Sequence, residues 1–84
     1  GDIEIALTDR ECDVLAFLIR SGDAPATRGA LFDALWAADG SSSENVVDVY
    51  IGYLRKKLSP HDLGFEIRTV RNKGFVLSGQ IPTL

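Results

Sequence analysis

The residues of this chain best suited to chemistry lie between about Ser43 and Leu58. Stepped around a helix at about 100° per residue, Val47, Ile51, Leu54 and Leu58 fall on one narrow stripe. The opposite side carries Asn45, Val49, Gly52, Tyr53 and Lys56. Asp48 and Arg55 share one flank; Tyr50 and Lys57 share the other. An amide side chain can make a paired contact with adenine. A lysine can reach guanine or a phosphate, and valine methyls can pack on thymine methyls. Glycine inside a helix costs about 1 kcal/mol relative to alanine, so Gly52 calls for a reason, and close approach of another backbone supplies one. The alternative is a solvated surface, for which Val49 and Tyr53 are poor choices. The outward face is therefore read as a binding face.

Charge points the same way once it is divided. The 84 residues carry nine Lys+Arg and twelve Asp+Glu, a net −3, which excludes a uniformly basic nucleic-acid-binding protein. Residues 1–51 contain three Lys+Arg and ten Asp+Glu, and residues 52–84 contain six (Arg55, Lys56, Lys57, Arg68, Arg71, Lys73) and two. The result is an acidic body joined to a basic segment suited to an anionic partner. A basic helix end and a basic turn, favoured locally by the helix dipole, are the simpler explanation of the same asymmetry.

Other functional classes find little support. Cys12 is the single cysteine, so no internal disulfide framework exists and a cysteine-based zinc site is disfavoured; no metal or other cofactor is expected. His61 is the only histidine and stands in a loop beside Asp62, with no nucleophile motif and no glycine-rich phosphate loop after a strand. An enzyme is not expected. The longest apolar run, Val14 to Ile19, is too short to span a membrane.

The surrounding elements follow from local signals. Residues 1–84 are read as one small domain. Ile3 to Leu7 begins as a short strand. Thr8-Asp9-Arg10-Glu11 has the form of a capping box, opening a helix to about Arg20 that Gly22 stops. On that helix Cys12, Leu15, Leu18 and Ile19 share the face predicted to be buried. Thr27 caps a second helix, Arg28 to about Ala37, with Leu31, Leu35 and Trp36 apolar. A polar loop, Asp39 to Ser42, leads to Ser43, which caps the third helix, and Ser59-Pro60 ends it. Phe65 to Val70 alternates as a strand, Arg71-Asn72-Lys73-Gly74 has turn chemistry, and Phe75 to Ser78 returns. The fold class predicted is α+β: a winged helix-turn-helix, with a short N-terminal strand, three helices and a C-terminal β-hairpin wing.

Three motifs in order resemble one family. Leu7-Thr8-Asp9-Arg10-Glu11 resembles the L-T-x-x-E opening of the OmpR/PhoB-type DNA-binding domain of response regulators. Asn45-Val46-Val47-Asp48-Val49-Tyr50-Ile51-Gly52-Tyr53-Leu54-Arg55-Lys56-Lys57-Leu58 resembles its recognition helix, V-D-V-x-I-x-x-L-R-x-K-L. Thr69 to Leu77 resembles its wing, T-V-R-G-x-G-[YF]-x-[LF]. The likeness covers about residues 5–78. It implies binding of double-stranded DNA, the third helix in the major groove and the wing in the minor groove, as a dimer on DNA. By the same resemblance Asn45, Val49, Tyr53 and Lys56 face the major groove, and Arg55 and Lys57 suit phosphates. Thr69 and Arg71 belong to the wing, Arg71 entering the minor groove, and Lys73 adds charge at its turn. It further implies a cytoplasmic parent protein with a receiver domain, and RNA polymerase contact through the Ala38–Ser43 loop. No membrane contact by this domain is expected. The sequence departs from the family at Gly52 and Tyr53, where many members carry arginine, and at Asn72, which replaces the first wing glycine. A protein-interaction module on the same fold, without DNA binding, is the competing expectation.

Overall fold

The computed structural model describes residues 5–40 and 43–81. Three helices come first: α1 at Asp9–Ser21, α2 at Arg28–Leu35 and α3 at Asn45–Leu58. Strands β1 at Phe65–Val70 and β2 at Gly74–Gly79 follow.

Helices α1 and α2 each start where a threonine side chain satisfies a free amide. At α1 the Thr8 hydroxyl accepts from the Glu11 amide (3.2 Å), while the Glu11 carboxylate accepts from the Thr8 amide (2.7 Å). Gly22 closes α1 at φ +61°, a conformation that suits glycine. At α2 the Thr27 hydroxyl accepts from Ala30 N–H at 3.0 Å. Before α3 the Ser43 hydroxyl accepts from Asn45 N–H at 3.2 Å, but the predicted cap is corrected by one residue: Glu44 precedes the helix in the cap position and its side chain makes no capping bond. The second helix is shorter than its apolar pattern predicts. It ends at Leu35, because Trp36 turns out of helical geometry (φ −126°) and starts a single 3₁₀ turn, Ala37–Asp39. Ser41 and Ser42 of the predicted loop lie outside the described residues.

The core joins all five elements. Val14 and Leu18 of α1 meet Leu31, Trp36, the α3 stripe Val47, Ile51, Leu54 and Leu58, and the hairpin residues Ile67, Phe75 and Leu77. All four stripe residues are buried as the wheel requires. The prediction for α1 is corrected. Cys12 is exposed, and the buried line runs Glu11, Val14, Leu18. Leu15 and Ile19 pack at its margin. A carboxylate takes the buried place because it has partners there, which hydropathy alone does not count. The short N-terminal strand is corrected in part: Ile5 to Leu7 form no strand, and Ile3 and Glu4 lie outside the described residues.

The hairpin is antiparallel, with Phe65 opposite Gly79 and Val70 opposite Gly74. Asn72 sits in its turn at φ +64°, a conformation asparagine tolerates better than most residues. The free edge of β2 is tied to the α1–α2 connection: Ala26 N–H donates to the Phe75 carbonyl (2.8 Å), and Phe75 N–H to the Ala26 carbonyl (2.9 Å). Gly74 makes that approach possible. A β-carbon there would lie 2.1 Å from the Ala26 oxygen.

Candidate nucleic-acid interface

Helix α3 projects different chemistry in different directions. Its outward face holds Asn45, Val49, Gly52, Tyr53 and Lys56, all exposed. Val49 is 46% and Tyr53 50% accessible, high values for apolar and aromatic side chains. Nothing lies within 4 Å of where a Gly52 β-carbon would be, so no packing inside the domain requires that glycine.

The two flanks are committed to the domain itself. On one, Arg28 at the start of α2 makes a paired contact with Asp48 (Nε to Oδ2 3.0 Å), joining α2 to α3 at the surface. Further along that flank, Arg55 donates to the Ile67 carbonyl (3.2 Å through a terminal nitrogen) and to the Thr69 hydroxyl (2.6 Å). This brace links α3 to β1 and covers part of an otherwise unpaired strand edge.

On the other flank, Lys57 donates to Glu11 at 2.6 Å. The Glu11 side chain is only 2% exposed and Lys57 37%. Desolvation pushes the Glu11 carboxyl upward. Its hydrogen bond from Lys57, then those from the Thr8 amide and hydroxyl, outweigh this and hold it below the usual glutamate range. Glu11 thus caps α1 and anchors the last turn of α3 at once.

The sequence-predicted site therefore divides. Asn45, Val49, Tyr53 and Lys56 share one exposed face, and Arg71 and Lys73 are exposed at the hairpin turn. Among the described residues, no hydrogen bond or ion pair holds the side chains of Lys56, Arg71 or Lys73. Thr69 and Arg55 are brought together, but with each other. Lys57 is turned toward α1, where its ammonium group meets Glu11. Arg68, exposed on β1, was missed as an individual residue. Its signal lay in the strand alternation, which turns it away from buried Ile67. Arg28 was missed as a member of the helix pair, since its partner is 20 residues distant.

Three helices with an antiparallel hairpin packed beside the third define a winged helix-turn-helix domain. The chain matches the family described as "Transcriptional regulatory protein, C terminal" over residues 2–77, and it belongs to that family. It is 42% identical over 78 residues to the transcriptional regulatory protein PrrA of Mycobacterium tuberculosis, covering 93% of this chain and 34% of PrrA. The chain thus spans about a third of the length of the curated relatives it matches. Among solved structures, it is similar to the DNA-binding domain of the response regulator AdeR in complex with an intercistronic region. The TM-score is 0.79 at 29% identity, over 94% of this chain and 79% of that one. It is also similar to the DNA-binding domain of Escherichia coli CadC, with a TM-score of 0.82 at 26% identity, over 100% of this chain and 79% of that one. Among the described residues, no helix is long and apolar enough to cross a membrane.

Proposed function

We propose that this chain is the DNA-binding effector domain of a two-component response regulator that controls transcription. The observation that carries this reading is the outward face of α3, where amide, methyl, phenol and ammonium groups stand exposed and uncommitted. At 14 residues α3 is about 21 Å long, and the major groove of B-DNA, about 12 Å wide, admits such a helix. Asn45, Val49, Tyr53 and Lys56 read or line that groove. Arg71 enters the adjacent minor groove, while Lys73 and Arg68 supply positive charge on the wing. Arg55 and Thr69 hold the wing against α3, and Lys57 secures α3 against α1. The family likeness and the AdeR complex support the DNA-binding reading as a whole.

The parent protein carries a receiver domain and acts in the cytoplasm, two copies pair on one DNA site, and the Ala38–Ser43 loop faces RNA polymerase. The acidic first half makes a single copy bind weakly, and pairing raises its effective affinity.

A salt titration of duplex binding tests the reading. Log K falls linearly with log salt, with a slope near −0.9 per phosphate neutralised. Arg71→Ala weakens binding mainly where A·T pairs lie under the wing; Tyr53→Ala changes base preference. Failure to bind any member of a randomised duplex pool at low salt would sink the assignment. The exposure of Val49 and Tyr53 favours one second reading, a protein-interaction module. A protein partner lost on Tyr53→Ala, with no duplex bound, establishes it instead.

A further inference from the structure

A line of aromatic contacts runs from the back of the domain to the outward face of α3. The Arg10 guanidinium lies over the Trp36 ring, 5.3 Å from its centroid, and Arg10 also donates to the Leu35 carbonyl. Trp36 is 4% exposed. Its ring meets that of Tyr50 at 5.3 Å between centroids, tilted by 56°. Tyr50, half-buried, meets Tyr53 edge-on at 5.5 Å and 70°. Only the last ring in the line is half exposed to solvent.

From this we infer that Tyr50 is a positioning residue for Tyr53. Tyrosine on a helix has two favoured directions about its first side-chain bond, and a solvated ring exchanges between them. Residues three apart on a helix are neighbours, so the edge of Tyr50 selects one direction for Tyr53. Tyr50 can impose that choice because its other side rests on Trp36. Trp36 in turn is fixed by burial and by Arg10. The Tyr53 ring thus stands pre-set on the outward face, and a base contact made through it loses less side-chain freedom on binding. Gly52, immediately before it, contributes no side chain that could crowd the ring.

The consequence for base choice rests on the DNA-binding reading; the arrangement of the rings in the free domain does not. The test therefore has two arms, run on the domain as it stands with Tyr50→Leu and Tyr50→Phe. Leucine keeps an apolar helix-former at the site but removes the ring. Phenylalanine keeps the ring and removes only the hydroxyl. In the first arm, three-bond Hα–Hβ couplings of Tyr53 report its rotamer without DNA. The wild type and Tyr50→Phe show one dominant rotamer, and Tyr50→Leu shows averaging. Averaging already in the wild type, or in a folded Tyr50→Phe variant, overturns the inference.

In the second arm, the ratio of affinities for a selected duplex and one altered at the Tyr53 position is measured. Tyr50→Leu lowers that ratio about two- to tenfold, the range expected for loss of one aromatic pair, and leaves the salt slope unchanged. Tyr50→Phe retains the ratio. In a Tyr53→Ala background, Tyr50→Leu has no further effect on it. An equal loss of affinity on both duplexes, or full additivity with Tyr53→Ala, overturns the role in discrimination. A single rotamer in the first arm with no duplex bound by the wild type leaves the positioning role standing and removes the DNA-binding reading.

Discussion

Lys56 and Lys57 are neighbours in sequence and opposite in circumstance. Lys57 reaches 2.6 Å from a carboxylate that is nearly inaccessible to solvent, while Lys56 stands exposed on the outward face of the same helix turn. One 100° step around the axis separates a cation that holds the domain together from one available to a partner. Charge counts treat the two alike. Of the six cations in the basic segment, Arg55 and Lys57 are engaged inside the domain, and Lys56, Arg68, Arg71 and Lys73 are exposed. The surface offered to an anion is smaller than the +4 of the segment suggests, and it is concentrated on one face of α3 and the wing.

Replacing Glu11 breaks the committed side most severely. Glu11→Ala leaves the Thr8 amide without its acceptor and Lys57 without its partner. The part-exposed lysine can turn to water, which moderates the effect, so the expected loss is about 2–3 kcal/mol in urea unfolding. The same pair gives a pH dependence of known sign. The native Glu11 carboxyl titrates below its unfolded range. Its contribution to stability is therefore present above the ordinary glutamate pKa, about 4.3. It is lost as pH falls through that value and the lower native one. Glu11→Gln removes this component, flattening the acid limb of a stability–pH curve. An unchanged acid limb contradicts the pairing.

Lys57→Ala is of similar size, about 2–3 kcal/mol, because it leaves the nearly inaccessible Glu11 carboxylate with only Thr8 to offset its desolvation. At fixed folded protein it leaves the salt slope of DNA binding unaltered. A reduced slope instead places Lys57 on a phosphate. Gly52→Ala raises stability by about 0.5–1 kcal/mol, since the added methyl meets open space. A simultaneous fall in duplex affinity marks where DNA comes close to α3; retained affinity means that the glycine serves no such purpose. Smallest in stability is Lys56→Ala, within about 0.5 kcal/mol. Its salt slope flattens by about one phosphate, the mirror image of its neighbour.

The division of α3 into a buried stripe and an outward face was legible in the sequence, because a 3.6-residue period allows few other arrangements for Val47, Ile51, Leu54 and Leu58. Caps at Thr8 and Thr27, and the left-handed Asn72, were legible for local reasons; Ser43 stands one residue too early, since Glu44 holds the cap position of α3 and its side chain caps nothing. What stayed hidden depends on partners far along the chain. Lys57 and Glu11 are 46 residues apart, and nothing within either helix announces the other. The misplacement of Cys12 has the same origin. The apolar pattern of α1 offered neighbouring stripes, and the correct one includes a buried acid whose base lies on α3. Arg55 reads as a free cation until β1 is placed beside it.

The contact between Ala26 and Phe75, with no room at Gly74 for even a methyl group, governs how the wing moves. It is stitched to the chain between α1 and α2 along one edge and to α3 through Arg55 along the other. The hairpin is therefore a fixed jaw rather than a swinging arm. A wing braced on both edges keeps one placement beside α3, and only the side chains at its tip, Arg71 and Lys73, are left to adjust to whatever meets the domain.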